Sequence, residues 1–191
     1  MIIGVLAVQG AFAEMKAYWR GKGADVFEIR QLDDLARDMD QLALPGGEST
    51  VQGKLLKDLG LFNPIKARIV DGLPIFATCA GLILLAEKIE DDGSRDETRP
   101  SQWFGVLPVT VRRNAYGRQL GSFTTVGDWD GHPNTPMTFI RAPAITAVAP
   151  DVAVLSTFNN QPTSVRWRNI TAFTWHPELN TSKIKKVKFT H

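Results

Sequence analysis

The sequence predicts an α/β protein: a three-layer α/β/α sandwich built on a central, mostly parallel mixed sheet. Three observations carry this. The first half alternates short apolar runs with stretches of helical composition. The opening run, from Ile2 to Val8, is apolar almost without interruption, the pattern of a strand covered on both faces. Turns rich in small residues stand where the apolar runs end and helices begin. Strands separated by helices of about 10–15 residues require crossover connections, and hence parallel pairing with right-handed crossovers. The 191 residues suffice for one domain with a substantial core, and no break in composition marks a second, so a single domain over 1–191 is expected.

Taken in order, the strand at Ile2–Val8 leads through the turn Gln9-Gly10-Ala11-Phe12 into a helix over Ala13–Lys22, which Gly23 ends. Asp25–Arg30 alternates as a second strand, and Leu32–Met39 reads as a short acidic helix. A third strand, Gln41–Leu44, runs into Pro45-Gly46-Gly47-Glu48-Ser49-Thr50. Val51–Leu59 and Phe62–Asp71 are helical and broken at Gly60; Ile75–Ala77 is a fourth strand, and Leu82–Ala86 opens another helix. Beyond this the character changes. Asp91–Ser101 reads as a polar, mobile insertion. Val106–Arg112, Gly121–Val126, Met137–Ile140, Ala147–Leu155, Ser164–Trp167 and Ile170–Thr174 read as strands, antiparallel or mixed, extending the same sheet. Gly127–Thr135, rich in Gly, Asp, Asn and Pro, reads as a surface loop.

A net charge of +2 with 22% charged residues gives no reason to expect nucleic acid or an anionic membrane as partner. The tail carrying Lys183, Lys185, Lys186 and Lys188 reads as a solvated terminal segment or a contact for an acidic surface. A single cysteine makes no internal disulfide, which points to a reducing compartment, and the apolar N-terminal run lacks the layout of a leader or a membrane span. A cytoplasmic protein is expected.

Three turns at strand C-terminal ends carry the candidate chemistry. In Thr78-Cys79-Ala80-Gly81, Cys79 sits between strand and helix, beyond the sheet edge where open α/β sheets place ligands. Free N–H groups at the helix start favour a thiolate and a negative oxygen forming nearby; the same residue also fits a buried structural cysteine. In Pro45-Gly46-Gly47-Glu48-Ser49-Thr50, two glycines allow close approach of backbone to a ligand, and the turn lacks the lysine of a nucleotide-binding P-loop. In Trp175-His176-Pro177-Glu178, His176 follows an apolar strand and Glu178 is able to meet its imidazole. A thiol nucleophile needs a base, and the base a group to fix its tautomer; Cys79, His176 and Glu178 supply the three types. His132, in a loop, and His191, at the end, are poorly placed for rigid support. One cysteine and scattered histidines do not make metal-ligand spacing, so no metal site is expected. Arg112, Arg113 and Arg118 lie in a polar loop suited to a carboxylate, and Arg141 stands at the end of the apolar strand Phe139-Ile140.

Together these turns resemble the class I (triad) glutamine amidotransferases, whose fold is flavodoxin-like. The likeness is nearest to the family of glutaminase subunits of the two-protein pyridoxal 5′-phosphate synthase. It is carried by residues 4–12, Leu44–Thr50, Thr78–Ala86, Arg113-Asn114 with Gly117-Arg118-Gln119, Phe139–Pro143 and His176–Leu179, in family order over nearly the whole chain. The turn Gly46–Thr50 and the stretch Ile140-Arg141-Ala142-Pro143 are what narrow it to that subunit. Ala77 stands where the family commonly has glycine, and Met15 where it often has histidine. The resemblance implies hydrolysis of L-glutamine to glutamate and ammonia through a thioester on Cys79, with His176 as base and acid and Glu178 as its orienter. It implies an oxyanion hole at Gly46, Gly47 and Ala80, and substrate contacts at Gly47, Glu48, Ser49, Arg113, Ile140 and Arg141. It further implies a partner, the synthase subunit, which receives ammonia through a channel in a hetero-oligomer, and no cofactor. An amidotransferase feeding another acceptor enzyme, or a binding module without activity, are the other readings; the intact Cys, His and Glu argue against the second.

Overall fold

The computed structural model describes residues 1–90, 99–115 and 121–180. The parallel strands of the first half form where the apolar runs lie: β1 (Ile2–Leu6), β2 (Asp25–Ile29), β3 (Gln41–Leu44) and β4 (Ile75–Thr78). They are joined through α1 (Phe12–Gly21), α2 (Ser49–Asp58) and α3 (Phe62–Val70). Cys79 alone separates β4 from α4 (Ala80–Leu85). The second half supplies β5 (Ala86–Glu90), β6 (Leu107–Arg112), β7 (Ser122–Trp129), β8 (His132–Ile140), β9 (Ala144–Val148), β10 (Ala153–Phe158), β11 (Gln161–Trp167) and β12 (Ile170–Phe173).

The central sheet has the order β10-β11-β12-β4-β3-β1-β2. The five strands from β12 to β2 are parallel, and β10 and β11 extend the sheet antiparallel. After β2 the chain returns to the opposite side of β1, so the direction of winding reverses between β1 and β3. The crevice at such a reversal, beyond the strand C-termini, is where a doubly wound sheet binds ligands.

Side-chain alternation along each strand sorts the core into two layers. Ile3, Val5, Ala43, Phe76 and Phe173 face one side, where α1 contributes Met15, Tyr18 and Trp19 and the second half contributes Trp129, Met137 and Phe139. Leu6, Leu42, Leu44, Ile75, Ala77 and Ala172 face the other, covered by Leu56 of α2, Ile65 and Ile69 of α3, α4, and Ile89, Leu107, Val109 and Ile145. The sandwich therefore has three layers, but each outer layer mixes helices with strands.

Several expectations need correction. Gly127–Thr135 is not a loop: β7 and β8 form a hairpin through it, turning at Asp130 (φ 49°) and Gly131 (φ 77°). Two successive positive φ values are the mark of a type I′ hairpin turn, and Pro133 and Pro136 are tolerated in this two-stranded ribbon because both strands are edges. His132 accordingly opens a strand, stacked on Trp129. Ala147–Leu155 is not one strand but the end of β9 and the start of β10, which belong to different sheets. Only β10–β12 extend the main sheet; β5-β6-β9 is a separate sheet, and β5 had no counterpart in the sequence reading. Leu32–Met39 shrinks to one 3-10 turn over Leu32–Ala36, held by a capping box between Gln31 and Asp34. Most of the polar insertion (91–98), part of the arginine loop (116–120) and the lysine tail (181–191) lie outside the described residues.

Candidate active site

The nucleophile candidate sits at a bend forced on the backbone. Cys79 has φ 49° and ψ −102°, a conformation that L side chains rarely adopt and that costs about 1–3 kcal/mol. The surroundings over-determine it. Its N–H donates to the Phe173 carbonyl at 2.8 Å, prolonging the β4–β12 ladder by one residue. Its carbonyl accepts from Ile83 N–H at 3.2 Å, starting α4. Two residues on, a Cβ on Gly81 would lie 2.3 Å from the Leu44 carbonyl oxygen, so α4 presses against β3 with only hydrogen between. Ala77, in the family's glycine position, lies in β4 without positive φ, paired with Leu44 and Ala172, where alanine fits. The thiol itself is lightly held, 4.0 Å from the Ile140 carbonyl oxygen.

His176 is positioned differently. Its backbone is ordinary (φ −111°, ψ 87°) and its N–H donates to the Thr138 carbonyl of β8 at 2.8 Å. Asn180 closes the turn: its side chain accepts from Thr138 Oγ1 at 2.9 Å and donates to the Pro136 carbonyl at 2.8 Å. The imidazole Nδ1 lies 2.8 Å from Glu178 Oε1, and the same oxygen accepts from Thr78 Oγ1 at 3.0 Å. His176, Glu178 and Thr78 are all buried. With Nδ1 committed to the carboxylate, Nε2 is buried and makes no hydrogen bond of standard geometry, yet the Cys79 sulfur is near enough to act on the ring. Burial disfavours the imidazolium, but the cysteine and Glu178 outweigh it and raise the His176 pKa to about 10. Glu178 Oε2 is buried without a hydrogen-bond partner. Burial, together with the Glu178 charge, holds the phenol of Tyr18 in α1 protonated well above the ordinary range.

Cys79 and His176 open into a cavity of about 420 Å³, the size of a small-molecule site. Gly46, Gly47, Glu48, Ser49, Arg113, Ile140 and Arg141 all line it. Ala80 is the first residue of α4, so its N–H has no partner within the helix. Gly46 could not be another residue: its Cβ would stand 2.3 Å from His176 Cε1 and 3.4 Å from Cys79 Cβ. Glu48 turns its carboxylate back to cap α2, accepting from Thr50 N–H at 3.0 Å and Val51 N–H at 2.8 Å. Arg113 is buried, its guanidinium 3.4 Å from both Ser49 Oγ and the Pro100 carbonyl oxygen. Arg141, at φ 42°, ends the hairpin. Among the described residues no cluster of three or more His, Cys, Asp or Glu is arranged to hold a metal ion.

Four participants escaped the sequence reading. Thr78 and Glu14 carried usable signals: a polar residue closing a buried strand just before the cysteine, and a lone acid in the first turn of α1, now on the cavity wall. Gln9 and Gln52 became visible only with the turns brought together: Gln9 Oε1 accepts from Glu48 N–H, and Gln52 Nε2 donates to the Gln9 carbonyl, each at 2.9 Å.

Known proteins resemble this chain in sequence and in fold. A family model described as the SNO glutamine amidotransferase family matches residues 5–190. A pyridoxal 5′-phosphate synthase subunit PdxT from Desulfitobacterium hafniense (strain DSM 10664 / DCB-2) is 49% identical over 180 residues, covering 94% of this chain and 87% of the relative. A PdxT subunit from Streptococcus pneumoniae (strain CGSP14) is 47% identical over 182 residues, covering 94% and 90%. A crystal structure of a glutamine amidotransferase superposes with a TM-score of 0.85 at 34% identity, covering 95% of this chain and 93% of that one. A chain of PurLQS from Thermotoga maritima, at 13% identity and a TM-score of 0.67, covers 96% of this chain and 90% of its own length and shares the fold.

Proposed function

The chain belongs to the SNO glutamine amidotransferase family, and from that premise we propose that it is the glutaminase subunit of a pyridoxal 5′-phosphate synthase. It hydrolyses L-glutamine to glutamate and ammonia and delivers the ammonia to a synthase subunit. The observation that carries this reading is the meeting of Cys79, at its strained bend, with the His176–Glu178 pair on one cavity. The relatives at 47–49% identity, each a PdxT subunit, supply the acceptor pathway.

In the proposed mechanism the Cys79 thiolate attacks the side-chain amide carbon of glutamine. The amide oxygen takes the negative charge and is met by N–H groups of the Gly46-Gly47 turn and of Ala80, the arrangement that stabilises such charge most. His176, protonated and steadied by Glu178, gives its Nε2 proton to the departing nitrogen. Ammonia leaves, and a γ-glutamyl thioester remains on Cys79. Water then attacks the thioester carbonyl while His176 takes its proton; glutamate departs and the thiolate is restored. Arg113 and Arg141 suit the substrate α-carboxylate, Glu48 the α-ammonium, and the backbone at Gly47, Ser49 and Ile140 the remainder of the substrate. The whole chain acts as one glutaminase domain without a cofactor of its own.

Ammonia release from glutamine, measured with and without the synthase subunit, tests the activity; folded protein that releases none in either condition refutes it. Complementation of a vitamin B6 auxotroph tests the pathway. A cytoplasmic setting is part of the proposal, supported by a lone cysteine whose function requires the thiol; among the described residues no helix is long and apolar enough to cross a membrane.

A further inference from the structure

Gln52 is a fully buried glutamine in the first turns of α2. A primary amide is costly to bury unless its groups are bonded, and this one spends its donor on the main chain of two distant turns. Nε2 donates to the Gln9 carbonyl, after β1, at 2.9 Å and to the Pro45 carbonyl, after β3, at 3.3 Å. Two carbonyls on one side identify that end as the nitrogen. Further bonds join the same two turns: Gln9 Oε1 accepts from Glu48 N–H at 2.9 Å, and the Gly46 carbonyl accepts from Ala11 N–H at 2.9 Å. A Cβ on Gly47 would lie 2.8 Å from Gln52 Nε2 and 2.5 Å from Gln9 Oε1, so the amide is packed against the Gly47 backbone. At Gly46, one residue back, a Cβ would run into His176 and meet Cys79, so this backbone packs close to both. Oε1 of Gln52 is buried and has no partner. Methionine or leucine would fill the same space without leaving an acceptor idle, so packing alone does not explain a glutamine here.

We propose that Gln52 is a positioning residue for the glutaminase reaction: its amide fixes the Gly46-Gly47 turn relative to Cys79 and His176. It touches neither substrate nor reacting atoms. It acts by holding the Pro45 and Gln9 carbonyls, and through them the peptide groups that face the developing oxyanion. The inference rests on the glutaminase reading, which sets what the turn must bind.

The test compares Gln52→Met, of similar length without the donor, with the parent chain, both assayed with the synthase subunit present. A misplaced oxyanion donor lowers kcat by roughly tenfold to a hundredfold, while KM for glutamine stays within about threefold. Alkylation of Cys79 by iodoacetamide, which develops no oxyanion, keeps the parent rate. A kcat within about twofold of the parent overturns the proposal, and so does a parallel fall in kcat and alkylation, which marks general damage to the site. Gln52→Glu gives a second reading should the methionine variant fold poorly. Its carboxyl donates only when protonated, so the ratio of its kcat to the parent's rises as pH is lowered from about 8.5 to about 6; a flat ratio overturns the proposal. A parent that releases no ammonia sinks the glutaminase reading and this inference together, whereas an active parent with a silent Gln52→Met sinks this inference alone.

Discussion

The turns that carry Cys79 and His176 lie side by side and are built on opposite plans. At Cys79 the main chain is constrained and the side chain is lightly held: φ is forced to 49° between a ladder bond and a helix start, while the sulfur lies 4.0 Å from the Ile140 carbonyl oxygen. At His176 the main chain is relaxed and the side chain is gripped, with Nδ1 2.8 Å from Glu178, itself bonded to Thr78. The difference follows from the chemistry of each group. A thiol bonds weakly and is placed best by fixing the bond that bears it. An imidazole has two nitrogens with different duties, so its tautomer has to be set by a partner.

Removing the thiol ends the contrast altogether. Cys79→Ala in the complex with the synthase subunit is expected to lose at least about 10⁴-fold in kcat, with circular dichroism unchanged; residual turnover near the parent rate would show that the nucleophile lies elsewhere. Releasing the grip on the histidine comes next. Glu178→Gln keeps the shape but misdirects the tautomer, and kcat should fall by about 10³–10⁴ with KM little changed. Disturbing the backbone plan should cost less activity and more stability. In Gly81→Ala the new methyl meets the Leu44 carbonyl, so α4 and the bend before it must shift, for a loss of about 10²-fold in kcat and a lower melting temperature. The smallest effect is expected where the two plans meet: Thr78→Val removes one bond to Glu178 and should reduce stability to chemical denaturation by about 1–3 kcal/mol, with a modest fall in kcat.

The pH dependence sharpens the same comparison. Folding raises the His176 pKa from 6.5 to about 10, against the opposing effect of burial. The imidazolium therefore stabilises the folded state fully below 6.5, and this contribution fades as pH rises through about 10. Denaturation midpoints taken at about pH 7 and about pH 10.5 should fall further for the parent than for Glu178→Gln, which has lost one of the groups that hold the proton. Equal falls would show that the carboxylate does not sustain the charge.

The first half of the fold was legible because its signals are local: continuous apolar runs fixed β1, β3 and β4, and the alternation of Phe76 with Ile75 and Ala77 later proved to divide the two core layers. The hairpin β7–β8 was hidden by its composition. Asp130-Gly131 is a strong turn signal, but Pro133, Asn134 and Pro136 made the flank resemble a loop, and pairing across the ribbon overrode that preference. The break between β9 and β10 had a local signal in Pro150-Asp151 that was passed over, whereas the assignment of the two strands to different sheets is decided by long-range pairing. At the site, residue types at strand ends sufficed for Cys79, His176 and Glu178. Gln52 went unnoticed because a lone polar residue inside a helix acquires its meaning from a partner 43 residues away.

The place of β12 in the sheet bears on how the molecule is made. This strand comes late in the described chain, yet it lies between β4 and β11, parallel to β4. Thr78 and Glu178 are 100 residues apart, so their bond requires a long loop to close. Until then Cys79 has neither the ladder bond from its N–H to Phe173 nor a histidine beside it. Truncation before Ile170 thus removes β12, His176 and Glu178 together, so the strand joining β4 to β11 and the partners of Cys79 are lost in one step.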